Sequence, residues 1–130
     1  MSTVDLTQET FQDAIDGDKP LIIDFWAPWC GPCRQFAPVF EAAAERHEDV
    51  TFAKINTEEE QELAAMLRIR SIPTIMIFRE KVLLFSHSGA LTDSQLDELI
   101  GQLREVDMEQ VHAEIAQQQE QASQEGPDQA

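Results

Sequence analysis

The chain contains two cysteines, Cys30 and Cys33, with only Gly31 and Pro32 between them. Residues three apart on a helix bring their Cβ atoms to about 5–6 Å, near the roughly 3.5–4.5 Å of a disulfide. A small adjustment therefore makes or breaks the bond. The chemistry open to such a pair is thiol–disulfide exchange: one thiolate attacks a partner's disulfide, and the second thiol then displaces the partner. Other uses fit less well. A zinc site wants four ligands, and His47, His87 and His112 are scattered singly. As a structural staple, so small a ring stabilises by only about 2 kcal/mol in the chain-entropy picture, against about 3 for a 15-residue loop. Two inert core thiols would not call for the turn chemistry of Trp29-Cys30-Gly31-Pro32-Cys33.

Two elements must position the pair. Leu21 to Ala27 is a short apolar run of buried-strand type, and Phe36, Val39, Phe40, Ala43 and Ala44 recur at helical spacing down to about Arg46. The cysteines thus fall where a strand meets a helix. The first turn of a helix leaves backbone N–H groups unpaired and carries the positive end of the helix dipole, so a thiolate is favoured there. Cys30 is expected at this terminus as the exposed, lowered-pKa nucleophile, with Cys33 shielded one turn inside as the resolving thiol. Pro32 suits the first helical position. Gly31 leaves room for another backbone to approach.

At 130 residues and 42% hydrophobic content the chain fits one domain with a real core. Its net charge of −16 is unevenly spread. Up to Arg104 there are 18 acidic and 9 basic residues; from Glu105 onward there are 7 acidic and none basic. Domain limits of 1–104 and 105–130 follow, the second an acidic Gln/Glu-rich extension that is partly helical and then disordered. Such a charge argues against nucleic acid and anionic membrane as partners. No apolar run reaches membrane length, and no basic n-region precedes an h-region. A cytoplasmic location is the expectation, and two closely spaced cysteines suit a reducing compartment.

Along the chain, Thr7 can cap a first helix with Phe11, Ala14 and Ile15 inward, ended by Gly17 and Pro20, and a short strand can precede it. The second helix carries Pro38 inside it, where a backbone bond is lost. Thr51 to Asn56 reads as a strand parallel to Leu21 to Ala27. Thr57 with Glu60 reads as a capping box opening a third helix whose Leu63, Met66 and Leu67 face inward. Thr74 to Phe78 and Val82 to Ser88 read as a hairpin across Arg79-Glu80-Lys81. Leu96, Leu99, Ile100 and Leu103 mark a further helix, and Met108, Val111 and Ile115 continue a stripe with Asp107 as a possible cap. Gln117 to Gln121 and Ser123 to Ala130 have too little apolar content to pack.

Taken together, Asp24-Phe25-Trp26-Ala27-Pro28-Trp29-Cys30-Gly31-Pro32-Cys33 resembles the active-site segment of the thioredoxin family. Ala53-Lys54-Ile55-Asn56, Ile69-Arg70-Ser71-Ile72-Pro73-Thr74 and Ser88-Gly89-Ala90-Leu91 follow in the family's order, so the likeness covers about Asp5 to Arg104. The resemblance implies an α/β thioredoxin fold: a central mixed sheet of four to five strands flanked by about four helices. It implies a protein-disulfide reductase working through Cys30 and Cys33, with no bound cofactor and no metal. Its partners would be disulfide-containing protein substrates and a thioredoxin reductase that draws on NADPH, and the chain would be a monomer.

The resemblance also assigns supporting roles. Asp24, a carboxyl in an apolar strand whose pKa burial should raise, would accept the Cys33 proton, and Lys54 would moderate its ionisation; a snorkelling surface lysine is the alternative for the latter. The Ile72–Pro73 bond would be cis and lie against the disulfide, although trans is the common state of X–Pro bonds. Trp29, Gly31, Ile72, Gly89 and Ala90 would form a shallow apolar groove around Cys30, with Trp26 supporting it from inside. Ser71, Arg34 and Lys81 depart from the family's common glycine, lysine and glycine. Lys81 leaves the hairpin's turn type open. A different class of function is a binding module or redox-linked holdase that uses the acidic extension to recruit clients.

Overall fold

The computed structural model describes residues 2–125, with side chains to residue 122. Its elements run β1 (Thr3–Asp5), α1 (Gln8–Ile15), β2 (Leu21–Trp26), α2 (Gly31–Arg46), β3 (Thr51–Asn56), α3 (Gln61–Met66), β4 (Thr74–Arg79), β5 (Val82–Ser88), α4 (Asp93–Glu105) and α5 (Met108–Glu125). The five strands form one mixed sheet in the order β1-β3-β2-β4-β5. β1 and β2 both pair parallel to β3, whereas β2–β4 and β4–β5 are antiparallel. The chain divides into two compact units, 1–99 and 100–130, so the division falls inside α4 and not at the charge step after Arg104.

β2 is the middle strand, and alternation sorts its residues to two faces. Leu21, Ile23 and Phe25 join Leu6, Ala53, Ile55, Leu63, Met76 and Phe78 in one core, onto which Phe11, Ala14 and Ile15 of α1 pack. Ile22 and Asp24 point to the other side, with the registered β3 residues Phe52 and Lys54. Phe40 of α2 meets Phe52 there at 5.2 Å between ring centroids and Phe36 at 5.8 Å. Helix α2 thus lies over the face that carries Asp24. At its far end Arg46 and His47 both reach the Asp97 carboxylate at 2.8 Å. The Arg46 hydrogen bond, then that of His47, holds this carboxyl below its usual range.

Several sequence expectations need correction. The third helix begins only at Gln61, with Glu60 in the cap position and no side-chain cap bond; Thr57 lies three residues before that cap and donates its hydroxyl to the Trp26 carbonyl at 3.0 Å. Asn56 Oδ1 instead accepts the Glu58 and Glu59 amides at 3.0 and 3.4 Å. The shortened helix turns Met66 outward, 69% exposed. Its end is a Schellman motif: Ile69 N donates to Ala64 O at 2.9 Å, Arg68 N donates to Ala65 O at 3.1 Å, and Arg68 is left-handed at φ 59°. An arginine here does what glycine does more cheaply.

The hairpin resolves in the same currency of φ. Arg79 and Val82 are paired, and the two residues between them, Glu80 and Lys81, have φ of 51° and 69°. Positive φ at both centres is the type I′ pattern that matches strand twist, at roughly 1 kcal/mol for each non-glycine residue. In the extension, Asp107 Oδ1 accepts the Gln110 amide at 3.2 Å and caps α5. The helix continues through Gln117 to Gln121 as far as Glu125, beyond the apolar stripe. The backbone there is helical although residues 116–122 are exposed. The expectation of disorder at 126–130 concerns positions outside the described residues.

Candidate active site

Cys30 is the N-cap residue of α2, with extended backbone angles of −87° and 110°. Pro32 stands in the first turn, where no intrahelical donor is needed. The Cys30 Sγ accepts the Cys33 amide at 3.2 Å, so one of the helix's unpaired N–H groups is spent on sulfur. The two cysteines are joined as a disulfide, with Cα atoms 5.2 Å apart. The expected contrast in exposure is small in this oxidised state: Cys30 is 5% exposed and Cys33 2%. Ala27, Trp26 and Ile72 pack around the pair, and both cysteines are buried. What separates the two is the helix end, which aims an amide at Cys30.

The Ile72–Pro73 bond is cis. The Ile72 carbonyl oxygen lies 3.8 Å from Cys30 Sγ, a contact that a reduced thiol at 30 could use as donor. Gly89, at φ 112°, donates its amide to the Pro73 carbonyl at 2.8 Å, which ties the end of β5 to this loop. Trp29 stands 66% exposed beside the disulfide. Gly31 has open space where a Cβ would project.

A groove runs from Trp29 past Thr57 and Ala64 to Ile69, Arg70, Ser71 and Ile72. Of the residues expected around Cys30, it includes Trp29 and Ile72; Gly31, Pro32, Gly89 and Ala90 lie outside its lining. Thr57, Ala64, Ile69 and Arg70 were missed by sequence reasoning. Their signal was the helix end at Leu67, which an arginine in the usual glycine position concealed.

Asp24 is fully buried, and neither carboxylate oxygen has a hydrogen-bond partner among the described residues. Burial raises its pKa from 3.8 to about 7, opposed by the charge of Lys54 and aided by that of Glu41. Lys54 is its register partner on β3, yet the Lys54 ammonium lies 5.1 Å over the Trp26 ring and forms no ion pair with Asp24. A small cavity lined by Trp26, Lys54, Asn56, Asp5, Glu59 and Glu60 opens this lysine to solvent. The Trp26 indole N–H is also buried, with no hydrogen-bond partner among the described residues. Among the described residues no three His, Cys, Asp or Glu side chains group as metal ligands, and no helix is long and apolar enough to cross a membrane.

The family model described as Thioredoxin matches residues 2–102. The chain belongs to the thioredoxin family. It is 50% identical over 121 residues to a putative thioredoxin 2 of Streptomyces coelicolor, covering 93% of this chain and 90% of the relative. A stretch of that length must include residues 10–121, so this likeness runs past Arg104 into α5. A thioredoxin of Porphyra purpurea is 44% identical over 75% of this chain and 92% of its own. Among solved structures, a chloroplastic thioredoxin z superposes with a TM-score of 0.75 at 34% identity, covering 82% of this chain and 97% of that one. With a Cys30–Cys33 disulfide in a thioredoxin fold, the chain is a thiol–disulfide oxidoreductase, a protein-disulfide reductase of thioredoxin type.

Proposed function

We propose that Cys30 is the attacking thiol, Cys33 the resolving thiol and Asp24 the proton acceptor of this reductase. The observation that carries the assignment is the Cys33 amide donated to Cys30 Sγ at the N-terminus of α2. Such a donor favours the thiolate at 30 over that at 33. In the reduced protein the Cys30 thiolate attacks one sulfur of a substrate disulfide, forms a mixed disulfide and expels the other substrate sulfur as a thiolate. Cys33, its proton passed toward Asp24 through water, then attacks Cys30 Sγ. The Cys30–Cys33 bond forms, the second substrate thiolate leaves, and two electrons have moved from the dithiol to the substrate.

A carboxyl with a pKa of about 7 can take and return this proton near neutral pH. Lys54 tunes it electrostatically from the solvent side. Ile72 and Pro73, with Trp29 and Gly31, receive an extended substrate segment whose backbone pairs with Ile72. Pro32 keeps the first turn in place, and Gly89 and Ala90 bound the loop that is hydrogen-bonded to Pro73. The oxidised state is returned to the dithiol by a flavoprotein thioredoxin reductase that uses NADPH, and the protein works as a cytoplasmic monomer. The segment 1–104 carries this activity, with 105–130 as an appended acidic element.

The test is reduction of insulin disulfides by dithiothreitol with catalytic amounts of the protein. Acceleration lost in Cys30→Ser, and a mixed disulfide trapped on Cys30 in Cys33→Ser, are the expected results. Full activity in Cys30→Ser ends the assignment. Deleting 105–130 should leave insulin reduction within about twofold; loss of client protection alone would favour the binding-module alternative.

A further inference from the structure

The groove beside the disulfide is mostly apolar, and its polar members differ in what they have left to offer. Thr57 has committed its hydroxyl proton to the Trp26 carbonyl, leaving no side-chain donor for a substrate anion. Ser71 is a neutral, exposed hydroxyl. Arg70 is the one charged side chain among the described residues of the lining. It is exposed, and it makes no ion pair or side-chain hydrogen bond among the described residues. In a chain of net charge −16, an unneutralised guanidinium at the substrate groove stands against the prevailing sign.

The loop that carries it is firmly mounted. The Schellman bonds from Ile69 and Arg68 to the end of α3 hold its start, and the Cys30–Cys33 pair packs against Ile72 at its end. Arg68 adds a second exposed cation, held in a left-handed conformation that its side chain disfavours.

Resting on the reductase reading above, we infer that Arg70 is a specificity-determining residue that selects substrate disulfides flanked by a carboxylate. Arg70 and Ile72 are two residues apart, so their Cα atoms are separated by at most about 7 Å. A substrate strand paired at Ile72, with its cysteine at Cys30, therefore brings the residues within about two positions of that cysteine under the guanidinium. A Glu or Asp there can accept the planar pair of N–H donors. Two electrostatic effects compete. The net negative charge of the whole protein repels acidic substrates, but beyond about 8 Å at physiological ionic strength it is largely screened. A contact at hydrogen-bond distance is not, so the local cation decides among substrates already in the groove.

The experiment uses the pre-reduced full-length protein and three peptides. Each has one cysteine capped as a mixed disulfide with 2-mercaptoethanol and differs only in having Glu, Gln or Lys two positions from it. Second-order rate constants are measured for the wild type and for Arg70→Gln, Arg70→Glu and Arg70→Lys. The ratio of Glu-peptide to Lys-peptide rates cancels factors common to both peptides, and its change on mutation cancels the remote field of the protein. At about 50 mM salt the ratio should fall about fivefold in Arg70→Gln, the upper range for one exposed ion pair. It should fall further in Arg70→Glu and stay near wild type in Arg70→Lys. At about 0.5 M salt the differences should shrink toward unity. A ratio that moves by less than about 1.5-fold in both Arg70→Gln and Arg70→Glu overturns the inference while leaving the reductase reading intact. If the wild type reduces none of the three peptides, the reductase reading itself fails.

Discussion

Two polar side chains lie buried in neighbouring strands, and they are treated in opposite ways. Thr74, 3% exposed at the start of β4, donates its hydroxyl to the Ser71 carbonyl. Asp24, fully buried on β2, has no hydrogen-bond partner among the described residues. Their strands are directly paired, with Phe25 opposite Thr74 and Asp24 opposite Ile75, so the contrast arises within one small region. Buried polar groups are normally satisfied, and an orphan asks for a reason. Thr74 uses its hydrogen bond to hold the loop before β4. Asp24 is left poised between charge states, which weakens the fold and suits a group that must exchange a proton.

The largest effect that sharpens this contrast comes from Asp24→Asn. The carboxyl's pKa is raised on folding from 3.8 to about 7, so the folded state binds more protons than the unfolded chain across that interval. The Asp24 contribution to stability must then fall as pH rises from about 4 to 7 and level off above it. At 1.36 kcal/mol per unit the full penalty is on the order of 4 kcal/mol. Denaturant titrations should find the Asn variant more stable by an amount that grows toward that figure at pH 8 and vanishes near pH 4. A difference independent of pH breaks the comparison. The same variant should slow insulin reduction by on the order of tenfold to a hundredfold at neutral pH, the loss of a proton acceptor.

Thr74→Val should act with the opposite sign on stability. Shape and strand preference are kept while the donor to Ser71 O is lost, so the variant should be less stable by about 1 kcal/mol. That loss should show no slope between pH 4 and 8, which thermal melts across the range would check. The smallest effect belongs to Glu41→Gln. Glu41 helps to raise the Asp24 pKa, so removing its charge should shift the Asp24 titration to lower pH. Carboxyl chemical shifts followed by NMR would detect the shift, and an upward shift would contradict the assigned sign.

Much of this molecule was legible before any coordinates. Short apolar runs marked β2 and the hairpin strands, and helical apolar spacing marked α2, because burial on both faces of a strand or on one face of a helix leaves those patterns in the chain. The cysteine pair declared its own chemistry through spacing and flanking turn residues. Positions that depend on backbone conformation were hidden. Arg68 and Lys81 take left-handed φ with side chains that do not advertise it, so the end of α3 and the type I′ turn were not foreseen. Thr57 looked like a cap, but the helix starts with Glu60 in that position, and Thr57 donates its hydroxyl to the Trp26 carbonyl of another strand.

By itself, then, the order of residues determined that a strand would deliver two thiols to the start of a helix, since local periodicity and turn chemistry act over a few neighbours. Only the tertiary structure decided that both cysteines are buried in the disulfide, that Asp24 has no hydrogen-bond partner among the described residues, and that Arg70 lines the groove. Those outcomes depend on which distant segments are folded against one another, and burial and pairing across such distances leave no local pattern in the chain.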